Sequence, residues 1–257
     1  MKLFKVVRIL ILSMVLIGVA LGSWLTSKRN TDWQQPLWIA IYPINADGND
    51  VTQRYIDALD IENFISIEEF ISEEAREFKL AIEHPFSIKL APQVNALPPE
   101  PPKSGAMWEI ILWSLKLRYW AYTENTFQGP APHIRMFVKY YDVKDRQPLA
   151  HSLGLPEGML GVVNAFADKK MTLSNSVVIT HEILHTLGAT DKYDLSTGQP
   201  IFPHGYAEAT REPLYPQETA EIMGGKIPIS EDEASIPRGL HQVIIGQETA
   251  REIRWLK

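Results

Sequence analysis

One twelve-residue stretch constrains the fold of this chain more than any other part of its sequence. Residues 180–191 read Thr-His-Glu-Ile-Leu-His-Thr-Leu-Gly-Ala-Thr-Asp. Apolar side chains at helical spacing run through this stretch and the turn before it: Val177, Val178, Ile179, Ile183, Leu184 and Leu187. They cover most of the circumference of a helix, and a helix that is apolar nearly all round belongs in a core. The rest of the chain must therefore pack around this helix.

The sequence also predicts where this helix begins and ends. Residues 174–176, Ser-Asn-Ser, are N-cap candidates, because their side chains can accept hydrogen bonds from the first free backbone N–H groups. Gly188 lies just past the last apolar residue, where a left-handed conformation commonly ends a helix. The chain can therefore turn sharply after His185 and bring a later residue back to the helix.

His181 and His185 lie four residues apart, so a helix presents both rings on one face, where each can direct a nitrogen at one metal ion. Glu182 lies about 100° further round the helix, beside such an ion without being its ligand. A carboxylate there can take a proton from a metal-bound water. Zn²⁺ suits two imidazoles and a carboxylate, with a fourth position open to water. The alternative is a buried helix that carries two histidines without binding metal.

The pattern His-Glu-x-x-His-x-x-Gly-x-x-Asp at residues 181–191 resembles the signature of the metzincin clan of zinc peptidases. Most members carry His in the last position, and the Asp resembles the snapalysin-type variant. The resemblance covers only this short motif. It implies zinc-dependent hydrolysis of peptide bonds and a mixed twisted sheet with the metal helix buried behind it.

The resemblance also implies a methionine-containing turn below the metal. The candidate is residues 221–225, Glu-Ile-Met-Gly-Gly, with Met223 in its centre. The alternative is that Met223 is an ordinary core methionine. Several metzincins have a tyrosine two residues after this methionine that helps to stabilise the oxyanion of the reaction. This chain has Gly225 there, so the role has no obvious occupant.

Four carboxylates compete to be the third protein ligand of the metal. Asp191 is favoured because the Gly188 turn can bring it back and because its spacing is snapalysin-like. Asp194 has no turn signal that aims it at the metal, and Asp168 precedes the helix and would approach from its far end. Glu208 lies near the spacing of the glutamate ligand in gluzincins, but its neighbours give little support for the second helix which that class uses.

An apolar run from Ile9 to Leu25 predicts a membrane-spanning or signal helix within residues 1–25. A linker at 26–36 and a zinc peptidase domain at 37–257 follow. The basic flank before the run, with Lys2, Lys5 and Arg8, predicts that the N-terminus stays cytoplasmic and that the domain is exported. Basic residues on both sides of the run favour a retained membrane anchor. The alternative is secretion, because Ala-Leu-Gly at 20–22 has the form of a cleavage site before Ser23.

Composition narrows the range of partners. The chain has no cysteine, which excludes disulfides and cysteine-ligated metals. Without Lys2, Lys5 and Arg8, 22 basic side chains remain against 31 acidic ones, a formal charge of −9 for the exported part. That charge disfavours nucleic acid and anionic membrane surfaces. The predicted partners are a peptide or protein substrate and, through the N-terminal helix, the membrane.

The remaining patterns predict an α+β fold with some parallel strand pairing. Strands are expected at 37–44, 86–90, 133–141 and 159–167, and helices within 51–80, 107–122 and 247–256. The strand at 159–167 is either the sheet edge along which metzincins hold a peptide or an interior strand. The aromatic stripe of helix 107–122 is expected in the core. Residues 192–239 are expected to form loops over the metal site.

Two other functions fit the same residues. The first is a catalytically inactive zinc-binding scaffold or interaction module at the cell envelope, although the intact Glu182 argues against it. The second is a membrane-anchored adaptor in which the two histidines are structural.

Overall fold

The computed structural model describes residues 6–7, 14, 32–102, 106–145, 152–155 and 159–256. Apart from Val6, Val7 and Met14, the predicted N-terminal helix at 1–25 therefore lies outside the described residues, as does most of the linker after it. Within the described ranges, no helix combines the length and the apolar character needed to cross a membrane.

A five-stranded mixed sheet forms the centre of the fold. Its strands are β1 (Leu37–Asn45), β2 (Phe86–Leu90), β3 (Ile134–Tyr141), β4 (Leu153–Leu155) and β5 (Leu160–Phe166). Their order in the sheet is β2-β1-β3-β5-β4. Strands β2, β1, β3 and β5 are parallel to one another, and β4 pairs antiparallel with β5. The predicted α+β class and the four predicted strands are confirmed.

Helices cover both faces of this sheet. They are α1 (Asp50–Asp57), α2 (Ile65–Glu77), α3 (Met107–Thr123), α4 (Thr172–Thr186) and α5 (Gln247–Glu252). Successive side chains of a strand point to opposite faces, so each central strand contributes to two cores. Ile39 and Ile41 of β1 join the core that contains α2 and α4. Tyr42 and Ile44 face the other way and pack with Leu117 of α3.

Helix α4 carries the histidine motif and begins earlier than predicted. The predicted N-cap residues 174–176 lie inside the helix, because a 3₁₀ turn at Lys169–Met171 precedes it and Asp168 caps that turn through the backbone N–H of Lys170. Asn175 is instead buried, where its side chain donates to the carbonyl of Phe166 and accepts from the N–H of the same residue. The asparagine thereby ties α4 to the end of β5.

The C-terminal part of the chain is mostly loops, as predicted. It contains four two-residue strands, β6 (Ala220–Glu221), β7 (Ile227–Pro228), β8 (Ala234–Ser235) and β9 (Val243–Ile244). The predicted closing helix is shorter than expected, because α5 ends at Glu252 and Arg254 has a positive φ of 64°. Beyond that turn, Trp255 is buried against Trp33 and Phe78.

The structure decides between the two alternatives for β5 and corrects part of the expectation for α3. Strand β5 lies between β3 and β4, so the interior-strand alternative for 159–167 is confirmed and β4 is the edge strand. Of the aromatic residues of α3, Trp113 and Trp120 pack against the core as expected, whereas Trp108, Tyr119 and Tyr122 are exposed. Leu117 and Ala121 of the same helix are buried against the sheet, whereas most of its large apolar side chains are exposed to solvent.

Candidate metal centre

The structure brings together both histidines of the motif and one carboxylate. Oδ1 of Asp191 lies 3.1 Å from Nε2 of His181 and 3.1 Å from Nε2 of His185. The two imidazole rings are nearly perpendicular, with their centroids 4.6 Å apart. Three donor atoms from two separate segments of the chain therefore converge on one point.

Backbone carbonyls fix the orientation of both rings. Nδ1 of His181 lies 2.9 Å from the carbonyl oxygen of Ile222, and Nδ1 of His185 lies 2.8 Å from that of Ala189. A carbonyl only accepts hydrogen bonds, so each Nδ1 carries the proton. In the neutral ring, each Nε2 then presents its lone pair to the centre, which is the arrangement that a metal ligand needs.

The converging atoms fit a tetrahedral metal ion. Metal–ligand bonds of about 2.0–2.1 Å at tetrahedral angles separate the ligand atoms by about 3.3 Å, close to the 3.1 Å observed here. Two lone pairs and a carboxylate oxygen repel one another unless a cation lies among them. Two imidazoles with one carboxylate form a donor set that zinc binds.

Without a metal ion, protonation of a histidine also relieves this repulsion, and the pKa shifts of His185 and Asp191 are in the direction that this requires. Burial lowers the pKa of His185, but its hydrogen bonds to Asp191 and Ala189 outweigh burial and leave the pKa above its ordinary value. Burial raises the pKa of Asp191, and the two imidazoles outweigh it and hold that pKa well below the usual range. The site therefore stabilises positive charge at its centre.

Glu182 lies beside this centre. Its side chain is 5 % exposed, and a carboxylate oxygen lies within 4.8 Å of a ring nitrogen of each histidine. His181, Glu182 and His185 by themselves form a group that can hold a metal ion. Asp191 reaches both Nε2 atoms directly, so its carboxylate can complete a three-ligand set for a metal ion with Glu182 beside it.

The turn predicted at Gly188 is what returns Asp191 to the helix. Gly188 has a φ of +104°, and its N–H donates to the carbonyl of His185. The segment after the turn is braced from α5, since Glu252 accepts hydrogen bonds from the backbone N–H and the hydroxyl of Thr190 and from Nζ of Lys192. Both neighbours of Asp191 are therefore held by one carboxylate.

The three competing carboxylates have other partners. Asp194 accepts hydrogen bonds from the Ser196 hydroxyl and from the backbone N–H groups of Ser196 and Thr197, in an exposed turn. Asp168 caps the 3₁₀ turn before α4. Glu208 is half exposed and pairs with Arg211 at 3.0 Å. In the described part of the chain, none of the three forms a hydrogen bond or an ion pair with His181 or His185.

The predicted methionine turn lies directly beside His181. Ile222 supplies the carbonyl that accepts from its Nδ1, and Met223 is fully buried in the core. Below the turn, the buried carboxylate of Glu221 accepts from the hydroxyl of Thr249 at 2.6 Å and from the backbone N–H groups of Gly224 and Gly246. The turn is thus locked in place by a carboxylate that the sequence analysis did not single out.

Sequence reasoning also missed Tyr193. Its ring lies 6.3 Å from that of His181, and its hydroxyl is close enough to Asp191 and Glu182 to feel their charges. Burial, and then the negative charges of Asp191 and Glu182, raise the pKa of Tyr193 to about 12, so the phenol stays protonated as a donor. A Cβ atom added to Gly225 would touch this ring at 3.8 Å. The available signal was a tyrosine two residues after the predicted third ligand.

A cleft of about 450 Å³ opens onto these residues. His181, Glu182 and Tyr193 line it together with apolar side chains, among them Phe166, Val178 and Ile222. A ligand in this cleft would therefore contact both the proposed metal ligand and the buried carboxylate.

The edge strand β4 passes directly over α4 beside the centre. A Cβ atom on Gly154 would lie 2.5 Å from Cβ of His185 and 2.6 Å from the carbonyl oxygen of Glu182, distances that only glycine avoids. In the described part of the sheet, β4 pairs only with β5 and leaves its outer edge free. An extended peptide can add to such an edge as a further strand.

Comparison with known proteins yields little. No protein-family model matches the chain, and no curated protein matches it either. One matching solved structure is described as a chaperone–substrate complex, with a TM-score of 0.40 and 11 % identity. The match covers 85 % of this chain and 33 % of that one, so the chain spans about a third of the matched structure's length.

Proposed function

We propose that this protein is a zinc-dependent metalloendopeptidase of the metzincin type, with a snapalysin-like Asp ligand. One observation carries the proposal: Oδ1 of Asp191 lies 3.1 Å from Nε2 of both His181 and His185. Both rings are held by their Nδ1 atoms, so their Nε2 lone pairs face the same point as the carboxylate. The fold supports the proposal only at the level of a mixed α+β sheet with the histidine helix packed on one face.

Zinc, when bound by His181, His185 and Asp191, polarises the carbonyl group to be cleaved and makes a water molecule reactive at neutral pH. Glu182 is the general base that takes the proton of the attacking water and then delivers it to the nitrogen of the leaving amine. Its position favours this role, because a carboxylate oxygen of Glu182 lies within 4.8 Å of a ring nitrogen of both His181 and His185, next to the place of the attacking water.

Tyr193 and β4 complete the proposed machinery. The Tyr193 hydroxyl, which lines the cleft beside His181 and Glu182, donates to the carbonyl oxygen of the substrate as negative charge develops there. The free edge of β4 holds the substrate as an extended strand, which places a peptide bond over α4. These assignments give the oxyanion role an occupant even though Gly225 stands where several metzincins have tyrosine.

We place the protein in a membrane with the catalytic domain outside the cytoplasm, held by the apolar run Ile9–Leu25. The alternative is a secreted enzyme released by cleavage before Ser23. Mass spectrometry of the native protein separates the two, since an anchored chain keeps its N-terminal segment and a secreted one begins at Ser23.

The enzymatic proposal is tested by pairing metal analysis with a peptide-library digest. We expect one zinc per chain and chelator-sensitive cleavage of peptides. Glu182→Gln should keep the zinc and lose cleavage, while Glu218→Gln, an exchange at an exposed position, should behave as the wild type. Turnover retained in zinc-loaded Glu182→Gln would remove Glu182 from the role of base. A zinc-loaded wild-type protein that cleaves nothing would favour the inactive scaffold.

A further inference from the structure

A lysine lines the metal cleft close to the proposed catalytic residues. Lys226 follows the methionine turn and lines the cleft of about 450 Å³ together with His181 and Glu182. It is half-buried, and it is the only lysine or arginine among the described residues that line this cleft. In the described part of the chain, its ammonium forms no ion pair with a carboxylate. Its positive charge therefore stays available to a ligand in the cleft.

The ammonium of Lys226 lies against the turn at residues 194–198. A Cβ atom on Gly198 would lie 3.0 Å from Nζ and 3.8 Å from Cε of Lys226. Gly198 has a φ of +64°, a conformation that favours glycine, so the turn leaves this space to the lysine side chain. Gly198 lines the same cleft, and the ammonium is thus placed at the cleft wall that this turn forms.

The backbone is held on both sides of Lys226. Before it, the N–H of Gly225 donates to the carbonyl of Glu221 at 3.1 Å. After it, Ile227 of β7 pairs with Ser235 of β8. The lysine is therefore positioned before a ligand arrives, which lowers the cost of ordering it on binding.

The carboxylates of the neighbouring segments have other partners. Asp194, in the turn under the ammonium, accepts a hydrogen bond from the hydroxyl of Ser196. Glu221, in the methionine turn, is buried and accepts from the hydroxyl of Thr249. Neither is paired with Lys226, so the protein itself does not neutralise this charge through either of them.

We propose that Lys226 selects peptide substrates that carry a carboxylate close to the cleaved bond. The inference rests on the proposed peptidase function, which makes a peptide the ligand of the cleft. A peptide offers such a carboxylate on an aspartate or glutamate side chain or at its C-terminus. An ammonium is a compact point charge with three donors, so it accepts a carboxylate from either source. Because His181 and Glu182 line the same cleft, the recognised carboxylate lies within a few residues of the cleaved bond.

The charge of the whole chain makes this preference a local effect. The formal net charge is −6, so the overall field favours basic peptides over acidic ones. Apolar side chains such as Phe166, Val178 and Ile222 line much of the cleft, and low polarity strengthens a charge-assisted hydrogen bond there. A preference for acidic peptides would therefore point to a group inside the cleft and not to the surface as a whole.

The test compares kcat/KM for matched fluorogenic peptides built on one library sequence. A glutamate is moved position by position across the cleaved bond, and each peptide is paired with its glutamine isostere. All C-termini are amidated, except in a separate glutamine pair that compares a free C-terminal carboxylate with the amide. Lys226→Met keeps the aliphatic stem, and Lys226→Arg keeps the charge. Lys89→Met is the matched control, because it removes an equal charge from an exposed position on β2, at the opposite edge of the sheet from β4.

We expect the wild type to prefer glutamate over glutamine about tenfold at one position, the lower range for a hydrogen bond to a charged group. Lys226→Met should abolish the preference without loss of zinc, whereas Lys226→Arg and Lys89→Met should keep it. The same dependence on Lys226 for the free C-terminus alone would support the proposal and identify the terminal carboxylate as the recognised group.

Equal kcat/KM for all matched pairs in the wild type, or a preference that survives in Lys226→Met, would overturn the proposal and leave the peptidase intact. If the wild type cleaves none of the peptides, fluorescence anisotropy of their labelled forms separates the two ideas. Tighter binding of the carboxylate form that requires Lys226 would support the role of the lysine and overturn the peptidase. Equal binding of both forms would overturn both.

Discussion

Nζ of Lys192 donates a 2.6 Å hydrogen bond to Oε2 of Glu252, which joins the segment carrying Asp191 to the C-terminal helix. The same carboxylate receives both the backbone N–H and the hydroxyl of Thr190. These contacts hold the pKa of Glu252 below its ordinary value despite the partial burial that raises it. The position of Asp191, the proposed third ligand, is therefore set by Glu252 of α5, which is 61 residues away from it in sequence.

This brace predicts that Glu252 controls metal affinity without touching the metal. Glu252→Ala frees Thr190 and Lys192, so Asp191 loses its fixed position. We expect the dissociation constant for zinc to rise about 10–100-fold, the usual effect of losing an outer partner of a metal ligand. Competition with a chromogenic chelator measures it. Glu248→Ala, an exposed exchange in the same helix, should leave the affinity unchanged, and equal losses in both variants would contradict the brace.

Removing the proposed third ligand should have a larger effect. Asp191→Ala leaves two protein ligands, and we expect the zinc to be stripped at a moderate chelator concentration that the wild type withstands. Glu208→Ala should keep its metal, because Glu208 pairs with Arg211 on the surface. Metal content after dialysis measures both. The reverse pattern would assign the site to Glu208 and take the protein out of the metzincins.

An exchange to histidine probes the same position differently. Asp191→His restores the ligand set that most metzincins carry and raises the net charge of the site by one. A more positive site makes zinc a stronger Lewis acid and its bound water more acidic. We expect zinc to be retained and the acidic limb of the pH profile for peptide cleavage to move to lower pH. An unchanged acidic limb would mean that ionisation of the metal-bound water does not determine the pH dependence of cleavage.

Tyr193 should affect catalysis and not metal binding. Tyr193→Phe removes the hydroxyl but keeps the ring beside His181. Loss of one donor to a developing oxyanion typically costs about 10²–10³-fold in kcat, and we expect a loss of that order with the zinc content and KM nearly unchanged. Steady-state kinetics with a fluorogenic peptide measure both constants. Loss of zinc in this variant would make Tyr193 a support of Asp191 instead.

How much of this site can be predicted from sequence depends on the range of the contacts. The pairing of His181 with His185 follows from helical spacing, and the return of Asp191 follows from the local turn at Gly188, where φ is positive. These are contacts within about ten residues. Ile222, whose carbonyl orients His181, is 41 residues away from it in sequence, and Glu252 is 60 residues away from Lys192. No local pattern points to either contact.

Sequence analysis missed the edge strand β4 and the exposed face of α3, each for its own physical reason. Strand β4 is three residues long and contains the close-packed Gly154, so it shows neither alternation nor strand propensity. Helix α3 shows apolar residues around its whole circumference, which periodicity reads as burial on all sides. In the described part of the chain only one of those faces packs on the sheet, and sequence periodicity cannot tell a face that packs on protein from one that is exposed.

The last prediction concerns the dependence of stability on pH. Glu74 of α2 accepts a 2.6 Å hydrogen bond from the N–H of Ile245, inside the core between α2 and the C-terminal segment. Burial raises its pKa to about 7; the bond from Ile245 opposes this, and the nearby charges of Glu77, Glu73 and Glu221 add to it. In the unfolded chain, Glu74 therefore loses its proton near the ordinary glutamate pKa of 4.5, at a lower pH than in the folded chain. Between these two values the unfolded state binds fewer protons, so the free energy of unfolding must fall as the pH rises, by up to about 1.4 kcal/mol per pH unit.

Glu74→Gln keeps an acceptor for Ile245 and removes the proton, so we expect the variant to gain stability over the wild type as the pH rises from about 5 to 7. Urea titrations at each pH, compared between variant and wild type, cancel the contributions of all other groups. Glu69→Gln, an exposed exchange in the same helix, should follow the wild type, and a Glu74→Gln variant whose stability stays parallel to the wild type across this range would show that Glu74 is already ionised in the folded protein.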